Sequence, residues 1–92
     1  MKPETWVNAA EIEQTLREAL QPLSLSVRDD GHLHAGHAGA REGGHYHVDV
    51  CSARFTGLSA VARHRLVYHS LASLMPRGIH ALAIQARSPE EA

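Results

Sequence analysis

The chain has little cysteine, few aromatic residues and no long apolar segment. Its one cysteine, Cys51, excludes an internal disulfide, and without a Cys-x-x-Cys pair a structural zinc site or dithiol redox motif is not expected. No apolar run approaches the roughly 18 residues that a membrane-spanning helix needs. The start of the chain also lacks the basic and apolar regions of a signal peptide. We therefore expect a cytoplasmic protein with no membrane partner.

Length and composition predict one small domain covering residues 1–92. Hydrophobic residues make up 43% and charged residues 21% of the 92 residues, which are ordinary values for a globular protein. Residues 1–7 and 88–92 are predicted to be loose tails, the second with at most one short turn. Residues 31–44, rich in glycine and polar side chains, are predicted to form a flexible loop.

Histidine, by contrast, is abundant. The chain has eight histidines, and five of them fall between positions 32 and 47. Because free histidine titrates near pH 6.5, the formal net charge of −1 becomes strongly positive below neutrality. Acid-driven binding to polyanions is therefore an artefact that any nucleic-acid assay must avoid.

The first half of the chain predicts a helix followed by a strand. After Asn8, a candidate N-cap, apolar residues recur at helical spacing until Pro22 stops the helix. Residues 23–28 then alternate apolar and polar side chains, which is typical of a half-buried strand.

The second half predicts a strand, a helix and a strand. Residues 45–51 alternate again, Ser59 is a candidate N-cap for a helix that ends at residues 76–78, and residues 79–86 form the last strand. The predicted fold class is therefore α+β, an αββαβ two-layer sandwich with helices over one face of a three-stranded sheet.

The histidines suggest two places for metal ligands. His32, His34 and His37 lie in the predicted loop, where they are either accessible ligands or simply part of a polar segment. His45 and His47 share a strand face with Asp49 and Cys51. We favour an ordinary polar sheet face there, since a closed tetrahedral site draws ligands from a second element.

The second helix carries the candidate contact residues. One broad arc of the helix contains six apolar residues: Val61, Val67, Tyr68, Leu71, Leu74 and Met75. His64 falls near the middle of this arc, so we interpret it as packed and hydrogen-bonded rather than as a ligand. Arg63 and Arg65 flank the arc, and Leu66 is an apolar residue among polar ones. The candidate contacts for a partner or for nucleic acid are Arg63, His64, Arg65 and Leu66. His80 opens the last strand on the same parity as Leu82 and Ile84.

Four segments together resemble the BolA family of small stress- and iron-related proteins. They are HAGHAGA at residues 34–40, HYHV at 45–48, FTGLSAVARHRLVY at 55–68 and IHALAI at 79–84. The resemblance spans nearly the whole chain. It implies a BolA-like fold related to class II KH domains, with extra short helical turns around the sheet.

The resemblance also implies a partner and a cofactor. Family members form heterodimers with monothiol glutaredoxins, bridged by a [2Fe–2S] cluster that the glutaredoxin cysteine and glutathione hold from one side. By resemblance, His80 supplies one ligand from this chain and a loop histidine supplies another. His34 matches the usual loop position, and His37 is close enough to compete for it. No role carries over to Cys51, and the isolated protein is expected to hold no cofactor.

We therefore expect a non-enzymatic adaptor in iron–sulfur cluster trafficking or iron and redox sensing, with no small-molecule substrate. The alternative is a DNA-binding transcriptional regulator of stress response and morphology that uses Arg63 and Arg65 on a KH-like helix. The few aromatic residues and the slightly acidic charge disfavour DNA binding. A hydrolase is disfavoured because no nucleophile elbow or triad is evident.

Overall fold

A computed structural model of the protein describes residues 6–30 and 44–91. It contains two helices, α1 (Ala9–Leu20) and α2 (Ala60–Ser70), and three strands, β1 (Ser24–Asp29), β2 (Gly44–Cys51) and β3 (Ile79–Arg87). Short 3-10 turns follow β2 at Ala53–Phe55, precede β3 at Met75–Arg77 and follow β3 at Pro89–Glu91. The predicted αββαβ order, with extra helical turns, is confirmed.

The three strands form one sheet with β2 in the centre. β1 pairs with β2 in the antiparallel direction, placing Val27 opposite Val48. β3 pairs with β2 in the parallel direction, placing Ile84 opposite the same Val48. A parallel pair needs a crossover connection, and α2 provides it between β2 and β3.

The core lies between the helices and one face of this sheet. Tyr46, Val48 and Val50 are buried, as the alternation in β2 predicts, and their neighbours His45, His47 and Asp49 are half-buried on the opposite face. The helices and the connecting segments complete the core with these buried residues: Ile12, Leu16, Leu20, Phe55, Val67, Leu71 and Leu74.

The ends of α1 are set by specific hydrogen bonds. The Asn8 side chain accepts the Glu11 N–H at 2.9 Å, which confirms the predicted N-cap. At the other end, Gln21 adopts a left-handed conformation with φ 46° and donates its N–H to the Arg17 carbonyl. The buried Ser52 hydroxyl donates to the Leu20 carbonyl at 2.6 Å, so it satisfies one of the free acceptors at the helix end.

The second helix is shorter than the sequence predicts. Ser59 caps it as expected, accepting the Ala62 N–H at 3.1 Å. The helix ends at Ser70 rather than near Pro76, and turns cover the remaining residues before β3. The Ser70 hydroxyl donates to the Leu66 carbonyl at 2.7 Å, a local bond that competes with continued helix.

The buried face of α2 is also rotated from the predicted one. Val61 is 59% exposed, and Tyr68 and His64 are exposed, so the prediction that His64 packs in an apolar arc is wrong. Leu66, predicted to lie among polar residues, packs against the core instead. Arg63 lies on the buried side of α2, with its side chain 12% exposed, although the sequence pattern places it on the flank of the apolar arc.

The segments predicted to be loose tails take part in the fold. Val7 is 3% exposed and donates its N–H to the Arg77 carbonyl at 2.8 Å, so the prediction of a loose tail over residues 1–7 is wrong at this position. Ser88 is also 3% exposed and begins the short turn expected after β3. Among the described residues, neither helix has the length and hydrophobicity needed to cross a bilayer.

Candidate functional site

His80 lies at the start of β3, immediately after a sharp change in chain direction. Gly78 has φ 119°, a conformation that a side chain would strain, and it links the preceding 3-10 turn to the strand. A Cβ on Gly78 would also touch the Trp6 ring. The His80 side chain is exposed.

A β-bulge turns His80 away from the core. Gly44 pairs with Ile79 and His45 pairs with Ala81, so β3 has one extra residue, His80, between the two pairs. A bulge of this kind leaves the extra residue outside the ladder and redirects its side chain. The sequence places His80 on the parity of Leu82 and Ile84, which are half-buried; the bulge breaks that parity and exposes His80.

His45 is the nearest histidine to His80 in the described part of the chain. The two ring centroids are 5.3 Å apart, and the ring planes are tilted by 45°. His45 is half-buried on the face of the sheet opposite the helices. Sequence reasoning placed it on this face but did not connect it with His80, because only the parallel pairing of β2 with β3 brings the two residues together.

Both ends of the histidine-rich segment are anchored beside this pair. The Asp30 N–H donates to the His45 carbonyl at 2.6 Å, and the Gly44 N–H donates to the Gly78 carbonyl at 2.6 Å. Asp30 is therefore bonded to one member of the pair, and Gly44 is bonded to a residue two positions before the other. The two predicted loop ligands, His34 and His37, lie outside the described residues.

Near His80, α2 exposes an apolar strip. Ala60, Val61, His64, Arg65 and Tyr68 line a shallow groove along this side of the helix. The Tyr68 hydroxyl donates to the Leu82 carbonyl at 3.4 Å, which brings the end of the strip to within two residues of His80 in β3. The strip offers an apolar contact surface bordered by an imidazole and a guanidinium.

Arg63, by contrast, is held inside the fold. Its side chain is 12% exposed. Its Nε donates to the Leu58 carbonyl at 2.9 Å, and its Nη1 donates to the Ala86 carbonyl at 3.3 Å. The same guanidinium forms a two-point ion pair with Glu91. Hydrogen bonding from Arg63 lowers the pKa of the Glu91 carboxyl to about 2.

The predicted site residues thus fall into separate groups. His80 stands beside His45, and His64 and Arg65 lie on the exposed strip of α2. Arg63 and Leu66 contribute to packing and hydrogen bonding within the fold. Within the described ranges, no three or more His, Cys, Asp and Glu side chains form a group that could hold a metal ion. Cys51 is buried and has a free thiol.

Comparisons with known proteins agree on one family. A family model described as BolA-like protein matches residues 16–91. BolA-like protein 1 from Homo sapiens is 45% identical over 82 residues, which cover 89% of this chain and 58% of the human protein. The DNA-binding transcriptional regulator BolA of Escherichia coli is 39% identical over 80 residues, covering 87% of this chain and 74% of that protein.

Solved structures show the same fold. BolA1 from Arabidopsis thaliana superposes with a TM-score of 0.81 at 37% sequence identity. The match covers 94% of this chain and 96% of the Arabidopsis chain. The chain spans little more than half the length of the human relative, 58%, so the similarity concerns the domain that the two proteins share.

Proposed function

The chain belongs to the BolA-like protein family, and we propose that it is a non-enzymatic adaptor that binds a monothiol glutaredoxin and supplies histidine ligands to a shared [2Fe–2S] cluster. The observation that carries this proposal is the position of His80. It is an exposed imidazole in a bulge, two residues after Gly78, whose carbonyl accepts the N–H of Gly44 at the end of the histidine-rich segment. The cytoplasmic location of the protein stays a prediction.

The donor chemistry suits the cluster. When imidazole replaces thiolate on one iron, as in known clusters with histidine ligands, the reduction potential rises. An exposed His80 is accessible to a cluster brought by another protein. The second ligand from this chain is a histidine of residues 31–43, with His34 and His37 as the candidates.

Chain length permits this assignment. His34 is four residues after Asp30, and an extended chain spans at most about 3.3–3.6 Å per residue. Adjacent strands are about 4.8 Å apart, and β2 lies between β1 and β3, so these two strands are separated by about 10 Å at this end of the sheet. A histidine four residues from Asp30 can therefore reach His80, and so can His37.

The exposed strip of α2 is the surface we assign to the glutaredoxin. Val61 is 59% exposed and Tyr68 is 40% exposed, although large apolar side chains are usually buried. Contiguous exposed apolar surface with a polar border is typical of a protein interaction site. His64 and Arg65 provide that border, and Tyr68 connects it to the strand that carries His80.

Anaerobic reconstitution of the glutaredoxin cluster, followed by visible circular dichroism, tests the ligand role. Adding the wild-type chain should change the spectrum of the glutaredoxin cluster, and His80→Ala should abolish that change. His69→Ala is the matched control, since His69 is an exposed histidine on α2. An unchanged spectrum with wild type, or equal changes with His80→Ala, would contradict the proposal.

A second candidate function is DNA binding. The Escherichia coli relative bears the name of a DNA-binding transcriptional regulator, and Arg65 is exposed on α2. In a titration of duplex DNA at neutral pH and physiological salt, sequence-dependent binding that Arg65→Ala weakens would favour this function. Binding that varies with salt but not with DNA sequence would count against it.

A further inference from the structure

We propose that His45 and His80 together bind a single divalent transition-metal ion in the isolated protein. The two histidines come from adjacent parallel strands, and their ring centroids are 5.3 Å apart. The proposed site differs from the cluster site because it uses His45 and needs no partner protein. It shares His80 with the proposed function but does not rest on it.

The separation of the rings matches two imidazoles on one ion. Zinc–nitrogen bonds are about 2.0–2.1 Å long and the ligand directions are tetrahedral, which places the centres of two bound imidazole rings about 5 Å apart. The observed separation of 5.3 Å is close to this value. A contact between two aromatic rings allows the same distance, so the experiment must separate ring packing from metal binding.

The backbone around the pair is fixed on both sides. Hydrogen bonds of 2.6 Å join Asp30 to His45 and Gly44 to Gly78, one on each flank of the pair. On the core side, the Tyr46 ring covers Gly44 so closely that a Cβ there would collide with it. A binding pair mounted on anchored strands keeps its geometry better than one on a loop.

The bulge creates the pair and exposes His80. Without the extra residue in β3, His45 would not have the exposed His80 beside it on the open side of the sheet. His80 is exposed to solvent, and His45 is half-buried beside it. Two protein nitrogens leave further coordination positions for water or another ligand, and we therefore expect the ion to exchange readily.

The donor type selects the class of ion. Imidazole suits copper, nickel and zinc, whereas magnesium and calcium prefer oxygen ligands. The general order of affinities for divalent first-row metals places Cu²⁺ above Ni²⁺ and Zn²⁺. The inferred ligand is therefore a borderline transition-metal cation, with Cu²⁺ bound most tightly.

The chain offers a matched control in His47. It lies two residues after His45 on the same strand face and is half-buried as well. Its neighbour across the parallel pair is Ala83, which has no donor atom in its side chain. Replacing His47 therefore removes the same kind of residue from the same surface without touching the proposed pair.

The experiment uses the full chain without an affinity tag at a fixed neutral pH. Zn²⁺ binding is measured by calorimetry, and Cu²⁺ binding by electron paramagnetic resonance, which detects ligand nitrogens. The variants are His45→Phe, His80→Phe and His47→Phe, because phenylalanine keeps an aromatic ring but has no donor nitrogen. We expect one ion per wild-type chain with two imidazole nitrogens, and at least about tenfold weaker binding in the first two variants. His47→Phe should bind as wild type does.

Two outcomes would overturn the inference. One is unchanged binding in His45→Phe or His80→Phe. The other is binding lost when His34 and His37 are both replaced by alanine but retained in His45→Phe, which would place the ion on residues 31–43. Thermal unfolding of each variant shows whether lost binding reflects lost structure. Failure of the cluster proposal is seen separately, in the glutaredoxin reconstitution.

Discussion

Polar side chains near the two ends of β3 differ in whether they bond within the fold or are exposed. At the C-terminal end, Arg63 bonds to the carbonyls of Leu58 and Ala86 and pairs with Glu91. At the N-terminal end, a bulge turns His80 out of the ladder and exposes it beside His45. Polar groups that bond within the fold hold it together, whereas those left accessible are available to a ligand or a partner.

The same difference divides three consecutive residues of α2. The Arg63 side chain is 12% exposed and joined to the fold. His64 and Arg65 are exposed on the apolar strip. Residue type alone does not separate the two arginines, but the partners around them do. The comparison predicts large effects on stability at the bonded end of β3 and small effects at the exposed end.

The largest loss of stability is expected from Ser52→Ala. Ser52 is fully buried near the C-terminal end of β3, where its N–H donates to the Arg87 carbonyl. Its hydroxyl bonds to the Leu20 carbonyl, and losing one partner of a buried hydrogen bond costs about 1–3 kcal/mol of the free energy of unfolding. Urea denaturation measures this change. Ser73→Ala, at an exposed serine, is the control, and an equal effect of the two substitutions would contradict the prediction.

A smaller loss is expected from Arg63→Met. Methionine keeps much of the packing of the arginine stem but removes the donors to Leu58, Ala86 and Glu91. We expect the melting temperature to fall clearly in thermal unfolding. Arg65→Met changes an exposed side chain and should alter the free energy of unfolding by no more than about 0.5 kcal/mol. Equal melting temperatures for the two variants would mean that the Arg63 bonds do not stabilise the fold.

Arg63 also explains what the sequence could not predict about α2. Apolar periodicity gave the existence of the helix and its cap at Ser59, since both depend on local pattern. The orientation of the helix places Arg63 where it bonds to the Ala86 carbonyl and to Glu91, which lie 23 and 28 residues further on. Because Arg63 was placed on the flank, the predicted buried face of α2 was centred near His64, and Leu66 was placed outside the core.

A pH dependence is expected from the same ion pair. The pKa of Glu91 is about 2 in the folded protein, compared with an ordinary value of 4.5, because Arg63 stabilises the carboxylate. The Glu91 carboxyl therefore binds a proton less readily in the folded state than in the unfolded state. The contribution of the ion pair to the free energy of unfolding is present in full above about pH 4.5. It should be lost as the pH falls from about 4.5 to about 2. Denaturation midpoints measured across this interval should fall more steeply for wild type than for Glu91→Gln, and equal slopes would contradict the assignment.

At the N-terminal end of β3, the sequence predicted the strand but not the contact between His45 and His80. Alternation identified β2 and β3, and resemblance to the BolA family singled out His80. The contact with His45 depends on the parallel pairing and on one extra residue in β3, and neither is visible in local periodicity. A bulge changes the parity of a strand, so a residue expected to face partly inward becomes exposed.

The smallest effects on stability are expected from His45→Phe and His80→Phe. Neither ring lies in the buried core, and phenylalanine preserves an aromatic contact at this position, so each free energy of unfolding should stay within about 0.5 kcal/mol of wild type. Both variants should nevertheless lose metal binding, and His80→Phe should also lose the change in the glutaredoxin cluster spectrum. Arg63→Met should show the reverse pattern, with reduced stability and retained metal binding at a temperature where it remains folded. Urea denaturation and Zn²⁺ calorimetry on the same samples measure both properties. If stability and binding fell together in all three variants, the two ends of β3 would form one cooperative unit, and the division between a structural end and a ligand-binding end would be wrong.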